Sequence, residues 1–262
     1  LRSPRLALTK LGGYRAGFPL PPDRMEQVEG RHIDLIHSHC PVTSTVLARM
    51  LRQRLHVPLL FTYHTKFDID IANAIHSKRL QEASIKLLVE NISACDEVWT
   101  VSHGAGENLR SLGYQGEYIV MPNGVDFPAG RLPEEKIRAV GEGLDLPDGV
   151  PLLLFVGRMM WYKGLRIILD ALKQLKDEGR DFRMGFVGKG TDGDAIRAYA
   201  EELALCDKVF FLAPCYDREI IRAWYCRADL FLFPSTFDTN GLVVREAAAC
   251  GLASVLIAGS CA

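Results

Sequence analysis

Residues 152–190 read LLLFVGRMMWYKGLRIILDALKQLKDEGRDFRMGFVGKG and contain a strand, a helix and a second strand in close succession. The apolar run at 152–156 suits a strand that is buried on both faces. The helix predicted at 165–176 carries one apolar stripe, made of Leu165, Ile168, Leu169, Leu172 and Leu175. A second apolar run follows at 182–187. This order predicts two parallel strands joined by a right-handed helical crossover.

The same alternation continues on both sides of this stretch. In the second half it predicts strands at 152–156, 182–187, 209–212, 229–233 and 254–258, and helices at 165–176, 194–205, 217–227 and 242–250. In the first half it predicts strands at 33–38, 59–63, 97–101 and 118–121, and helices at 43–55, 78–94 and 103–112. The predicted class is therefore α/β, with two parallel-sheet domains.

The predicted domains occupy residues 1–127 and 150–262. The segment 128–149, rich in Pro and Gly, is predicted to be a mobile connector with one short helix near 133–141. Residues 1–30 contain four prolines and little periodicity, which favours a loop. The chain begins with Leu and ends directly after an apolar run, so we expect both domains to be truncated.

Composition excludes several classes of protein. The 262 residues include 31 Lys+Arg and 32 Asp+Glu, a formal charge of -1, which argues against a nucleic-acid partner bound through net positive charge. No apolar run is long enough to span a bilayer. The seven cysteines include no C-x-x-C pair and no signal peptide is visible, so we expect reduced thiols in a cytoplasmic enzyme.

Ligands of an open parallel sheet bind beyond the carboxyl ends of its strands, so the loops after the strands are informative. The loop that follows residue 156 contains Gly157, Arg158 and Lys163. A guanidinium and an ammonium group beside a helix N-terminus could clamp a diphosphate. The alternative is a solvated loop in which the glycines only turn the chain.

The loop at 188–193 matches G-x-G-x-x-G, the dinucleotide-binding pattern. That pattern also requires an acidic residue at the end of the next strand, and this strand ends Leu212-Ala213-Pro214 instead. NAD and FAD are therefore disfavoured. A turn that brings the backbone of Gly188 and Gly190 close to another nucleotide stays open.

The loop and helix at 234–247 carry two carboxylates, Asp238 and Glu246, eight positions apart. These two groups could bracket a polar ligand that lies on the helix N-terminus. A carboxylate there could accept from sugar hydroxyls, and the amides of 241–243 could receive phosphate oxygens. The alternative reading makes Asp238 a helix cap and Glu246 a surface charge.

Together these loops resemble the retaining glycosyltransferases of family 4, which have the GT-B fold. The matching elements are Gly157-Arg158, Lys163-Gly164, Gly188-Lys189-Gly190, Pro234-Ser235 and the pair Asp238 and Glu246-Ala247, with further likeness at 37–39, 62–65, 101–102, 122–126 and 228–231. The resemblance runs from about residue 34 to the last residue. Within the family, segments 63–68 and 238–242 are most similar to bacterial diacylglycerol glucosyltransferases.

The resemblance implies a role for each matching residue. Arg158 and Lys163 would hold the donor diphosphate, Glu246 the ribose, and His64 the donor sugar near the reacting carbon. Asp238 would hold the sugar. The remaining donor-binding positions would be Gly157, Gly188, Gly190, Asn240, Gly241, Leu242 and Val243, and those on the acceptor side His39, Ser102 and His103. The family needs no bound metal and no cofactor beyond its nucleotide-sugar substrate.

The chain departs from the family pattern at three places. Asp238 stands where Glu is usual, and Arg245 stands at a position that is usually apolar. The first strand of the family and its Gly-rich loop should precede residue 34 by several tens of residues. No such strand and loop are visible at that place in the sequence, and the final helices of the second domain are not visible either, so we expect an internal fragment of a longer enzyme.

The helix at 43–55 carries Arg49, Arg52 and Arg54, with His56 beside it, next to an apolar side. Such a face suits an anionic membrane surface, and an ordinary helix packed on the sheet is the alternative. His37, His39 and His64 could suggest a metal site, but no carboxylate lies at a supporting spacing, so we expect no metal.

We therefore expect a glycosyltransferase that moves a hexose from a UDP-type donor to a lipid or glycan acceptor with retention of configuration. It would be cytoplasmic, with peripheral contact at the inner face of the membrane. A UDP-sugar 2-epimerase of the same fold and a nucleotide-sugar-binding module without turnover are the alternatives.

Overall fold

The computed structural model describes residues 5–7, 15–17 and 22–260. The chain divides into two compact units, Leu1–Asn123 and Gly124–Ala262. Each unit has its own parallel sheet.

The elements of the first unit follow one another in the order β1 Arg5–Ala7, β2 Arg15–Gly17, α1 Pro22–Glu29, β3 Ile36–Ser38, α2 Thr43–Leu55, β4 Leu59–Tyr63, α3 Phe67–Ala74, α4 Lys78–Ser93, β5 Glu97–Thr100, α5 His103–Ser111 and β6 Ile119–Val120. The strands β3-β4-β5-β6 form one parallel sheet in that order. Its core contains Phe61, Tyr63, Ile92 and Leu109.

The prediction of a loop over residues 1–30 is wrong for residues 5–7, 15–17 and 22–29, and its remaining positions up to residue 21 lie outside the described residues. Strands β1 and β2 pair with each other in antiparallel register, so each satisfies backbone groups of the other. Pro22 opens α1 at the first helical position, where its missing N–H breaks no helical hydrogen bond.

The second unit continues with α6 Glu134–Ala139, β7 Leu152–Val156, a single 3₁₀ turn Trp161–Lys163, α7 Leu165–Asp177, β8 Arg183–Val187, α8 Gly193–Glu202, β9 Val209–Leu212, α9 Arg218–Arg227, β10 Leu230–Phe233, α10 Leu242–Ala249 and β11 Ser254–Leu256. All neighbouring strands are parallel, in the spatial order β11-β10-β7-β8-β9. The predicted two-domain α/β architecture with parallel sheets is confirmed.

The strand order of the second unit reverses at one place. From β7 the chain builds outward through β8 and β9, and then returns to the other side of β7 to place β10 and β11. This reversal opens a crevice at the carboxyl ends of β7 and β10. The loops that follow these two strands are the ones that carry the charged residues of interest.

The segment 128–149 packs on the second unit. Phe127 and Ile137 are buried in the core of that unit. Arg222 of α9 donates to the carbonyl oxygens of Pro128 and Gly130 at 3.0 and 2.9 Å, which holds the segment against the helix. The predicted mobile connector is thus, in the structure, anchored to the second unit.

Candidate functional site

A buried ion pair joins the two loops at the crevice of the second unit. Lys163, in the turn after β7, donates from Nζ to both carboxylate oxygens of Asp238, in the loop after β10, at 2.6 and 2.7 Å. The Lys163 side chain is 7% exposed and that of Asp238 is 22% exposed. The sequence predicted both residues in the donor site, and the structure brings them into direct contact.

Aromatic rings surround the Lys163 ammonium group. Its Nζ lies 5.6 Å from the ring centre of Tyr162, 5.7 Å from that of Phe233 and 6.0 Å from that of Phe237. Burial lowers the pKa of Lys163, the carboxylate of Asp238 opposes this effect, and the charge of Arg158 adds to it. The site therefore holds a cation in a largely dry, electron-rich setting.

Arg158 lies on the same loop as Lys163 and is exposed. Its guanidinium carbon lies 5.6 Å from the ring centre of Tyr162. The loop thus carries one exposed cation, Arg158, and one buried, paired cation, Lys163.

Glycines let the loops of this edge approach one another closely. A Cβ at Gly164 would lie 2.5 Å from the carbonyl oxygen of Pro234. A Cβ at Gly188 would lie 1.9 Å from the Gly157 carbonyl oxygen, and one at Gly190 would lie 2.2 Å from the Met159 carbonyl oxygen. The close packing of the two loops therefore explains the glycines at 188 and 190. Because they allow this packing, they help to position the loop that carries Arg158 and Lys163.

Helix α10 begins at the crevice without a capping side chain. Gly241 precedes it in the left-handed conformation, with φ of 57°, and no side-chain cap bond is present there. The reading of Asp238 as a helix cap is therefore wrong. Asn240 is buried just before the helix, and the amides of Leu242 and Val243 belong to the first turn, whose N–H groups have no intrahelical acceptor. This end of α10 can receive an anion.

Glu246 lies one turn inside α10 and is buried, so the reading of it as a surface charge is also wrong. Its Oε1 accepts from Nη1 of Arg218 at 2.9 Å, and its Oε2 accepts from the hydroxyl of Tyr225 at 3.0 Å. Burial and the Glu246 charge raise the pKa of Tyr225 well above its ordinary value, so this hydroxyl stays a donor.

Sequence reasoning missed Arg218. It stands at the start of α9, and its Nη2 also donates to Asp126. The match at 122–126 drew attention to Asp126, but Arg218 lies 92 residues away from it in sequence and no local pattern links the two.

The first unit groups three histidines at the carboxyl ends of β3 and β4. The ring centres of His37 and His39 lie 4.2 Å apart, and those of His39 and His64 lie 5.6 Å apart. Partial burial and the neighbouring His39 lower the pKa of both His37 and His64. His37 shares a hydrogen bond of 2.7 Å with the hydroxyl of Thr62. Over the described ranges, no group of three or more His, Cys, Asp or Glu side chains could hold a metal ion.

The other residues predicted on the acceptor side lie at the start of α5. Ser102 caps this helix, because its Oγ accepts from the amide of Ala105 at 3.1 Å. His103 follows it and is exposed. The structure thus gives Ser102 a structural role and leaves His103 accessible.

The three arginines of α2 all have partners within the first unit. Arg49 donates to Asn91 at 2.7 Å, Arg54 pairs with Glu29 at 2.7 Å, and Arg52 pairs with Asp96. Helix α2 also buries Ala48 and Leu51. These contacts favour the reading of α2 as a helix packed on its sheet. Among helices in the described part of the chain, none is long and apolar enough to cross a membrane.

Two family models together match almost the whole chain. The model described as Glycosyltransferase Family 4 matches residues 2–127, and the model described as Glycosyl transferases group 1 matches residues 138–261. The two matches together show that the chain belongs to the family 4 glycosyltransferases.

Curated relatives of this glycosyltransferase chain act on different acceptors, according to their names. The alpha-monoglucosyldiacylglycerol synthase of Streptococcus pneumoniae is 24% identical over 231 residues, which cover 87% of this chain and 52% of that protein. The D-inositol 3-phosphate glycosyltransferase 2 of Catenulispora acidiphila is 31% identical over 236 residues, covering 85% of this chain and 54% of that protein. The chain spans about half the length of the curated relatives it matches, here 52% and 54%.

Solved structures confirm the GT-B fold of this glycosyltransferase chain. HepE of Anabaena, in complex with UDP and glucose, matches with a TM-score of 0.74 at 19% identity, over 91% of this chain and 62% of that one. Sucrose-phosphate synthase of Thermosynechococcus elongatus matches with a TM-score of 0.72 at 25% identity, over 90% of this chain and 60% of that one.

Proposed function

We propose that this chain transfers a hexose from a UDP sugar to a lipid or glycan acceptor, with retention of configuration at the anomeric carbon. The buried pair of Lys163 and Asp238 at the strand-order reversal carries the proposal. A cation and a carboxylate held together at the N-terminus of α10 are suited to a ligand with both a diphosphate and a sugar. The complex of HepE with UDP and glucose supports this class of donor.

Transfer breaks the bond between the anomeric carbon and the diphosphate, and the bonding electron pair leaves on a phosphate oxygen. A new bond forms between the anomeric carbon and the acceptor hydroxyl oxygen, whose proton passes to the departing diphosphate. Lys163 and Arg158 would stabilise the negative charge that develops there, because fixed cations in a water-poor site stabilise charge without reorganising. Asp238 would accept from sugar hydroxyls. No bound metal is required by this scheme, since the two cations supply the charge.

In the second unit we assign the remaining donor contacts to the edge around α10. The amides of Leu242 and Val243 would receive phosphate oxygens at the helix start. Buried Asn240 and left-handed Gly241 shape the approach to these amides. Glu246 would accept from ribose hydroxyls, which suits a carboxylate held by neutral and cationic donors.

In the first unit we assign His39 and exposed His103 to the acceptor side, and we keep for His64 the role that the family resemblance implies, next to the transferred sugar. Neutral imidazole can both donate to and accept from hydroxyl groups, and the lowered pKa of His64 keeps its ring neutral near pH 7. The name of the S. pneumoniae relative supports a diacylglycerol-type acceptor. Peripheral contact with an anionic membrane stays part of the proposal, to be tested by pelleting with anionic liposomes at low and high salt.

A transfer assay tests the proposal. The protein is incubated with UDP-glucose and vesicles that contain diacylglycerol, and the product is analysed by mass spectrometry and by the NMR coupling of its anomeric proton. We expect a glucolipid with the α configuration of the donor. Lys163→Ala should lower kcat by about 100-fold or more. The exposed cation Lys173, paired with Asp177 on α7, provides the control variant Lys173→Ala, which should stay active.

Other results would point to the alternatives. Conversion of UDP-glucose to its 2-epimer without transfer would indicate an epimerase. Binding of UDP-glucose with no turnover on lipid or glycan acceptors would indicate a nucleotide-sugar-binding module. A β-linked product would contradict retention.

A further inference from the structure

The carboxylate of Glu246 is held from two sides by groups on one helix. Arg218 and Tyr225, both on α9, each donate to a different oxygen of Glu246, at 2.9 and 3.0 Å. The Glu246 side chain is 12% exposed. With one donor fixed on each oxygen, the carboxylate cannot rotate freely. Each oxygen keeps a lone pair for one further donor.

Arg218 is itself fixed by further contacts. Its Nη2 donates to the carboxylate of Asp126, and its guanidinium carbon lies 4.1 Å from the ring centre of Phe127. The two ends of the guanidinium fork therefore bind two different carboxylates, one of which is Glu246. Ring stacking defines the plane of the group. Because the guanidinium group is itself fixed, it holds the Glu246 carboxylate in one orientation. The flexible ammonium group of a lysine would not do so.

We propose that Arg218 is a positioning residue that orients Glu246 to recognise the ribose hydroxyls of the donor nucleotide. Tyr225 completes the same clamp from the buried side. This inference rests on the proposed function, because it needs the ribose to lie at Glu246. It predicts that Arg218 determines the preference of the site for ribose over deoxyribose, although Arg218 itself need not touch the nucleotide.

Titration calorimetry with UDP and with 2′-deoxy-UDP tests the proposal. The measured quantity is the ratio of the two dissociation constants, which isolates the contribution of one hydroxyl. We expect the wild type to bind UDP about tenfold more tightly, as for a hydrogen bond to a charged group. Glu246→Gln should reduce the ratio to about twofold, and Arg218→Ala should do the same.

Arg222 provides the matched control. It lies one turn further along α9 and donates to the backbone carbonyls of Pro128 and Gly130, not to Glu246. Arg222→Ala removes an arginine from the same helix and should keep the tenfold ratio. The double variant Arg218→Ala/Glu246→Gln should show the same ratio of dissociation constants as Glu246→Gln alone, because both changes remove the same interaction.

A second variant covers the case in which Arg218→Ala does not fold. Asp126→Asn weakens the ion pair that fixes Arg218 and leaves Glu246 unchanged. The ratio of the two dissociation constants should then lie between tenfold and twofold, at unchanged thermal stability. A full tenfold ratio in folded Arg218→Ala would overturn the inference while leaving the donor site in place. If the wild type bound neither nucleotide, or bound both equally, the assignment of Glu246 in the proposed function would fail as well.

Discussion

Lys163 and Asp238 lie 75 residues apart in sequence, and their side chains meet in a two-pronged ion pair with Nζ-to-oxygen distances of 2.6 and 2.7 Å. The pair joins the turn after β7 to the loop after β10. Because both partners are mostly shielded from water, each depends on the other for compensation of its charge.

Removal of the cation should destabilise the fold. Lys163→Met leaves the Asp238 carboxylate without its partner, and we expect the free energy of unfolding to fall by about 1–3 kcal/mol. Urea denaturation followed by circular dichroism measures this change. The double variant Lys163→Met/Asp238→Asn should recover part of the loss, because the unpaired charge is gone. Equal stability of the single variant and the wild type would show that the pair contributes nothing.

Removal of the carboxylate should strengthen the binding of free UDP. In the wild type the diphosphate must share Lys163 with Asp238, whereas Asp238→Asn leaves the ammonium charge to the ligand. We expect UDP to bind about tenfold more tightly, a gain of about 1.4 kcal/mol. Sugar transfer should become slower because a sugar contact is lost. Weaker binding of UDP by this variant would contradict the competition for Lys163.

The close approach of the loops can be tested at Gly190. A Cβ there would lie 2.2 Å from the Met159 carbonyl oxygen, so Gly190→Ala must push the loops apart. We expect a loss of about 1–3 kcal/mol and a lower thermal midpoint. Gly193→Ala is the matched control, since its Cβ would lie 3.9 Å from its nearest neighbour, the Met159 Cβ. Similar midpoints for the two variants would refute the packing role.

The histidine cluster predicts a pH dependence of stability. The pKa values of His37 and His64 are lowered in the folded state from the ordinary value of 6.5, so the unfolded state binds more protons below this pH. Stability should therefore be lost as the pH falls through about 6.5 towards the folded pKa values, and it should be regained as the pH rises.

His39→Gln isolates this effect, because His39 contributes to both shifts. In this variant the pKa values of His37 and His64 should rise, as measured by NMR titration of the ring protons. The difference in urea midpoint between pH 7.5 and pH 5.5 should shrink. Unchanged titration curves of His37 and His64 would exclude charge repulsion between them and His39.

The sequence predicted the second unit well because its strands and helices carry strong local patterns. The apolar run that forms β7 and the stripe that forms α7 leave little choice of structure. Helix α3 was not predicted. Over residues 67–71 of Phe67–Ala74, apolar and acidic residues alternate with a period of two, which is unlike a helix, and the whole helix has only eight residues.

The sequence indicates candidate site residues where a family motif marks them, and it does not reveal contacts that only the fold creates. Lys163, Asp238 and Glu246 lie in such motifs. The contact of Glu246 with Arg218 spans 28 residues and depends on the packing of α9 against α10, which no local pattern encodes. Likewise, the glycine pattern at 188–193 predicts a turn that approaches a nucleotide. In the structure, Gly188 and Gly190 approach carbonyl groups of the loop after β7.

The most direct test of a donor site at this crevice is the titration of the protein with UDP by calorimetry, for the wild type, Lys163→Ala and Lys173→Ala. The site assignment predicts saturable binding by the wild type and by Lys173→Ala, and an affinity at least about tenfold lower for Lys163→Ala. Absence of UDP binding by the folded wild type, or equal affinity for Lys163→Ala, would contradict it.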